Sequence, residues 1–249
     1  MKISHMVIAG TLLFAAAMLS AQEQQVQRQS TSSSRSETSV ESAYLNDADG
    51  TIIMGLAASD EYDNKLVALE YLQTAISNSN TSDQVIAALD QLAGEGLTTQ
   101  ARQRNRLMNN YPDIRREACL LMAKVPTEHT KNTLVQITVA ESEPMVIAAA
   151  VRSLGEIGLN NNDEVVDAIC YANRRNQVMN PTSSLALEVL NALEKLAPTT
   201  ENKRAIIDTA ASIASDYHYV APVRKRALAI LKTLGTGSSS SASSNTSSN

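Results

Sequence analysis

The side chains able to carry metal or general-base chemistry are few. Beyond the first 21 residues the only imidazoles are His129 and His218, and the only thiols are Cys119 and Cys170, none at ligand spacing. Asp47-Ala48-Asp49-Gly50 has the look of part of a calcium loop. The match fails at both ends, where Leu45 and Leu56 stand in place of the first and last carboxylates, so a turn ahead of the first helix is expected there. Asp163 and Glu164 pair two carboxylates, but at a predicted helix start, where negative charge suits the dipole. No Gly-rich phosphate loop, Gly-x-Ser-x-Gly elbow or His-Glu-x-x-His occurs. The expectation is therefore no catalytic residue, no cofactor and no metal.

Charge is the other resource. Arg102, Arg104 and Arg106, with Arg115 and Arg116, and the pair Arg174 and Arg175, offer a positive surface for an acidic partner, against the plainer reading of solvated helix faces. His218, between Tyr217 and Tyr219, offers a contact or simple loop packing. The chain of 249 residues has a formal net charge of −5. That charge is uneven, with a net of −9 from Gln22 to Leu97 and +3 from Thr98 onward. With Trp absent and seven Tyr, the stacking platforms of nucleic-acid binders are missing, so no nucleic acid is expected as partner.

Met1 to Ala21 reads as a secretory leader, with Lys2 as its charge, Met6 to Leu19 as its apolar run and cleavage after Ala21 or Ala17. That run falls short of the roughly 20 apolar residues a membrane span needs, so no integral span is expected. The expectation is export, to the periplasm or beyond, as a soluble protein. Residues 22–46, rich in Gln and Ser, lack the apolar surface to order themselves and are expected to be a flexible linker. A Ser-rich tail over 237–249 is expected to be disordered on the same ground.

What must position any site lies in 47–236, where apolar residues recur at helical spacing. Helices are expected from near Thr51, then over Asp60–Ile76, Thr81–Ala93 with a capping box at Thr81 to Gln84, Thr99–Asn109, Pro112–Val125, Thr127–Ala140, Pro144–Ile157, Asn162–Val178, Pro181–Leu196, Thr200–Ser215 and Pro222–Leu234. Four open with Pro, and Gly158 and Gly235 suit two helix ends. Cys119 and Cys170 fall on apolar faces of different helices and are expected to stay as buried thiols.

The helices also repeat one another. Ile114-Arg115 with Ala118, Cys119, Met122 and Val125 aligns with Val146-Ile147, Ala150, Val151, Leu154 and Ile157. The same frame fits Leu185-Ala186 onward and Val223-Arg224 onward, with a weaker copy at Ala68, Leu69, Leu72 and Ala75. The four clear copies start 32, 39 and 38 residues apart, the length of one helical hairpin. Val146 to Gly158 resembles the first helix of a HEAT repeat, and Pro222 to Leu228 resembles the same start. The family's Arg stands as Arg115 and Arg224, while Ile147 and Ala186 depart from it, which interrupts a polar ladder between repeats.

The resemblance, to exported bacterial HEAT-repeat proteins with an armadillo-like helical fold, implies an all-α solenoid of stacked antiparallel helix pairs. In that family the second helices line a concave face that grips a protein. The expected function is thus a non-enzymatic scaffold or adaptor in the periplasm or cell envelope, binding a protein that is acidic or a second copy of the chain. A self-assembling envelope subunit is the alternative, and a HEAT-like pigment lyase a third. On the second helices the apolar stripe is expected to face the core. Lys131, Gln136, Asp167, Arg174, Arg175 and Asp208 are then left on the exposed, protein-binding side.

Overall fold

The computed structural model describes residues 40–98 and 100–239. The leader, most of the expected linker and the tail from 240 onward lie outside the described residues. The chain divides into two units, Met1–Asn46 and Asp47–Asn249, and of the first only the opening of one helix is described.

The described residues form ten α-helices and one small hairpin. The helices are α1 (Val40–Ala57), α2 (Tyr62–Ser77), α3 (Asp83–Ala93), α4 (Pro112–Met122), α5 (Glu128–Ala140), α6 (Pro144–Ile157), α7 (Glu164–Met179), α8 (Ser183–Leu196), α9 (Lys203–Ser215) and α10 (Ala221–Ser239). A turn of 3-10 helix, Asn161–Asp163, leads into α7. Local chemistry sets several of these ends. Thr127 and Thr130 exchange side-chain and backbone hydrogen bonds in a capping box that opens α5. Pro112 and Pro144 open α4 and α6, and Gly158, at φ 73°, closes α6 in the left-handed conformation.

Several local expectations change. No helix forms over 100–109. Strands β1 (Arg102–Gln103) and β2 (Arg106–Leu107) pair there across a two-residue turn, with Arg104 at φ 49° and Asn105 at φ 66°. Two successive left-handed residues make the turn that matches strand twist, and the segment has no apolar stripe to hold a helix on the core. Asn109 Oδ1 accepts from Ala101 N at 2.9 Å to close the base of the hairpin. At α3 the start is Ser82-Asp83 rather than Thr81, and Asn80 Oδ1 accepts from Ser82 N at 3.1 Å. The stretch Asp47 to Gly50 lies inside α1 instead of in a turn, so α1 begins within the expected linker. Gly235 lies inside α10, which runs on to Ser239.

The helices pack in two rows. In one row α2, α4, α6, α8 and α10 each pack on the next; in the other α3, α5, α7 and α9 do the same, and helices adjacent in sequence pack across between the rows. Almost all the buried apolar side chains are Ala, Leu, Ile and Val, as the composition requires. Helix α6, central in its row, is buried on nearly every side, from Val146 through Gly155. A Cβ on Gly155 would meet Ala192 Cα at 2.8 Å, so α6 and α8 touch backbone to backbone there.

Buried charges tie the rows together at one end. Lys65 Nζ donates to Glu95 Oε2 at 2.9 Å and to the Ala57 carbonyl at 3.0 Å, while Asn109 Nδ2 donates to Glu95 Oε1 at 2.6 Å. Arg115 Nε donates to Glu141 Oε2 at 2.7 Å, and its Nη1 donates to the Glu95 carbonyl and Asn110 Oδ1, both at 3.0 Å. Lys65 sits in the weak repeat copy where Arg115 sits in the next, so the two pairs are one device used twice. In each, the cation on a first-row helix meets the carboxylate just after the second-row helix that follows. Arg115 is therefore buried, not part of a positive surface.

A candidate protein-binding groove

Helices α7 and α9 are neighbours in the second row and flank an open groove of about 580 Å³. Helical spacing brings its lining together. On α7, Asp167, Cys170, Arg174 and Gln177 recur at three- and four-residue steps along one face, and on α9, Arg204, Asp208 and Ser212 do so at four-residue steps. Each wall thus carries one carboxylate and one guanidinium. Arg204 Nε lies 3.6 Å from Asp208 Oδ2, and with both side chains mostly exposed that pair leaves either charge available to a partner.

The floor is packed. Asn173, Cys170 and Thr209 are buried, and Cys170 Sγ donates to the Ala205 carbonyl at 3.6 Å. Burial pushes the Cys170 thiol up from its ordinary range, which disfavours the thiolate and makes it a poor nucleophile. One end of the groove is closed by a chain of hydrogen bonds, from Ser212 Oγ to Gln177 Oε1 at 2.7 Å and from Gln177 Nε2 to Asp216 Oδ2 at 2.9 Å. The Asp216 carboxyl is held below its usual range by the His218 backbone N–H, then by Gln177. At the other end Asn202 Oδ1 caps α9 by accepting from Arg204 N at 3.2 Å. Asp163 secures that end by accepting from Asn202 N at 2.7 Å and Glu201 N at 3.1 Å.

Of the six residues expected on the binding face, the structure gathers Asp167, Arg174 and Asp208 in this groove. Gln136 is exposed on α5, outside it. Lys131 and Arg175 require correction. Lys131 is only 2% exposed, bridging Glu128 at 2.8 Å within α5 and Glu164 at the start of α7. Arg175 donates to the Val139 and Glu141 carbonyls at the end of α5 and lies over the Tyr171 ring at 5.8 Å. Lys131 thus ties α5 forward to the start of α7, while Arg175 reaches back to carbonyls that the end of α5 leaves open. Arg204, Asn202, Asn173 and Ser212 were missed, although the four-residue spacing of Arg204, Asp208 and Ser212 was readable as one helical face.

The remaining candidates have structural employment. His129 Nε2 contacts Asp90 Oδ2 at 2.5 Å between α5 and α3, and His218 stacks on Tyr217 beside Asp216. Cys119 and Cys170 are both free and buried, and burial pushes the Cys119 thiol up to about 12. Among the described residues no cluster of three His, Cys, Asp or Glu side chains is placed to hold a metal ion, and no helix is long and apolar enough to cross a membrane. Comparison with protein-family models, with curated proteins and with solved structures finds no match.

Proposed function

We propose that this chain is a HEAT-like α-solenoid that serves as a non-enzymatic scaffold, holding an extended segment of a partner protein in the groove between α7 and α9. Support for the solenoid comes from the two rows of helices and from hydrogen bonds that recur one repeat apart. Ser153 Oγ donates to the Cys119 carbonyl across 34 residues, Ser212 Oγ to Gln177 across 35, and Val220 N to Ser183 Oγ across 37. Each repeat buries its apolar stripe only by stacking on the next.

The observation that carries the binding reading is the groove's lining. Small-molecule sites are mostly apolar and enclosed, with few polar groups. This groove is open, lined by amides, hydroxyls and charges of both signs, and has no aromatic ring. Such a lining suits the alternating donors and acceptors of a peptide backbone, with its charges selecting side chains at either edge. The segment Met1 to Ala21 supports placing this activity outside the cytoplasm, and N-terminal sequencing of envelope protein should find a start near Gln22.

The test is reversal of Arg174→Glu together with Arg204→Glu. Both side chains are exposed, so stability should change by no more than about 0.5 kcal/mol for each. Partner capture should fall while the helical circular dichroism and Tm stay in place. Unchanged capture would remove the groove from the proposal.

A further inference from the structure

The two ends of the first row leave uncovered what every interior repeat buries. At the frame position of Cys119 the successive copies hold Leu69, Cys119, Val151 and Leu190, all 7% exposed or less, and then Leu228, which is 56% exposed. Two residues further along, the position of Ser153 is held by Leu121, Ser153, Ala192 and Ile230, again 7% exposed or less, but in the first copy by Tyr71, which is 52% exposed. These two positions are the ones that meet between neighbouring repeats, since Ser153 Oγ on α6 donates to the Cys119 carbonyl on α4 at 2.8 Å. Helix α2 has no predecessor in its row among the described residues, and α10 has no successor.

The second row shows the matching gap. Lys65 and Arg115 each find a carboxylate just after the second-row helix that follows, Glu95 after α3 and Glu141 after α5. Arg224 holds the same frame position on α10. Its Nε is shut off from solvent with no hydrogen-bond partner, and no second-row helix follows it among the described residues. Helix α1 is the reverse case. It meets α3, where Gln84 Nε2 donates to Asp47 Oδ1 at 2.6 Å, as a second-row helix would, and no first-row helix precedes it among the described residues. Exposed Asp60 and Glu61 follow its end at Ala57.

We infer that the chain assembles head to tail with copies of itself, α10 of one copy and α1 of the next together completing a repeat. Leu228 then packs against Tyr71 of the next copy, and Arg224 takes the carboxylate of Asp60 or Glu61. Charge agrees with this pairing. From Tyr217 to Asn249 there are four cations, Arg224, Lys225, Arg226 and Lys232, and no acidic residue. The opposite end carries Asp63 and Glu70 on the same exposed face of α2 as Leu66, Val67 and Tyr71. A contact between two different surfaces does not close on itself by a two-fold axis, so the assembly grows beyond a dimer. The inference rests on the stacked reading of the repeats and is independent of what the groove holds.

Sedimentation of the full chain from micromolar to millimolar concentration tests it. Mass should rise past two copies at low salt and fall as salt screens the end charges. Tyr71→Glu and Leu228→Glu should each stay monomeric, because each keeps one competent end. Mixed in equal amounts they should form a species of two chains and nothing larger. The milder Tyr71→Ser and Leu228→Ser serve if either Glu variant melts early, and Arg174→Glu with Arg204→Glu should assemble like wild type. A wild-type mass that stays monomeric throughout would overturn the inference. So would growth that survives either end substitution, or a mixture that remains monomeric.

Discussion

Arg115 and Glu141 form a salt bridge at 2.7 Å with both side chains almost sealed from water, at 2% and 1% exposure. The pair joins α4 to the end of α5, and Glu141 Oε1 also accepts from Ser142 N and Glu143 N just before α6. Removing one partner of such a pair strands the other charge, at a cost of about 3–5 kcal/mol. Arg115→Met should lower the urea unfolding free energy by about that amount. Arg116→Met, half-buried beside Glu117, should change it by less than about 1 kcal/mol.

Gly155 sits where α6 and α8 touch, with Ala192 atoms 2.8 and 2.9 Å from the place a Cβ would take. Gly155→Ala gains helix propensity of about 1 kcal/mol, but it forces two backbones apart, and overpacking of that kind costs about 1–3 kcal/mol. The net effect should be a lowered Tm, and Gly155→Val should lower it further. A Tm that rises for Gly155→Ala would show that the row separates freely.

Asp163 titrates below its usual range, chiefly because Asn202 N donates to it and then because Glu201 N and Asn160 do. A carboxyl whose pKa is depressed by folding contributes stability above its unfolded value, about 3.9, and loses it as pH falls through the folded value. Asp163→Asn should therefore have a lower Tm than wild type at neutral pH, and the gap should narrow as pH drops below about 4. A gap that is constant across that range would mean that the charge of Asp163 plays no part.

Cys119 and Cys170 should both resist alkylation in the native protein near neutral pH, since burial disfavours their thiolates. Mass measurement after denaturing alkylation without reductant should find two adducts. Finding none would mean a disulfide and a different placement of α4 and α7.

These helices were legible because Ile114, Val146, Leu185 and Val223 open segments with the same apolar spacing, and those segments pack side by side in one row. Lys65 was hidden for two reasons. Asn64 replaces the leading aliphatic residue before it, and the hairpin between α3 and α4 stretches that interval to 50 residues. The hairpin itself was misread as helix, because Arg104 and Asn105 adopt left-handed backbone without a glycine to announce it. In the groove, Asp167, Arg174 and Asp208 were readable as polar faces of helices. Lys131 and Arg175 were not, because a long cation carries its charge several bonds from the backbone, and Glu164 and the Glu141 carbonyl lie 33 and 34 residues from them in sequence.

A photoreactive residue placed at Ser212 in the groove, and separately at exposed Arg152 on α6 in the other row, tests the binding claim in intact cells. If the groove holds a partner, Ser212 gives a crosslink to one protein through a contiguous segment. That crosslink disappears with Arg174→Glu and Arg204→Glu, and Arg152 gives none. Equal crosslinking from both rows, or a Ser212 crosslink that survives the double reversal, would contradict it.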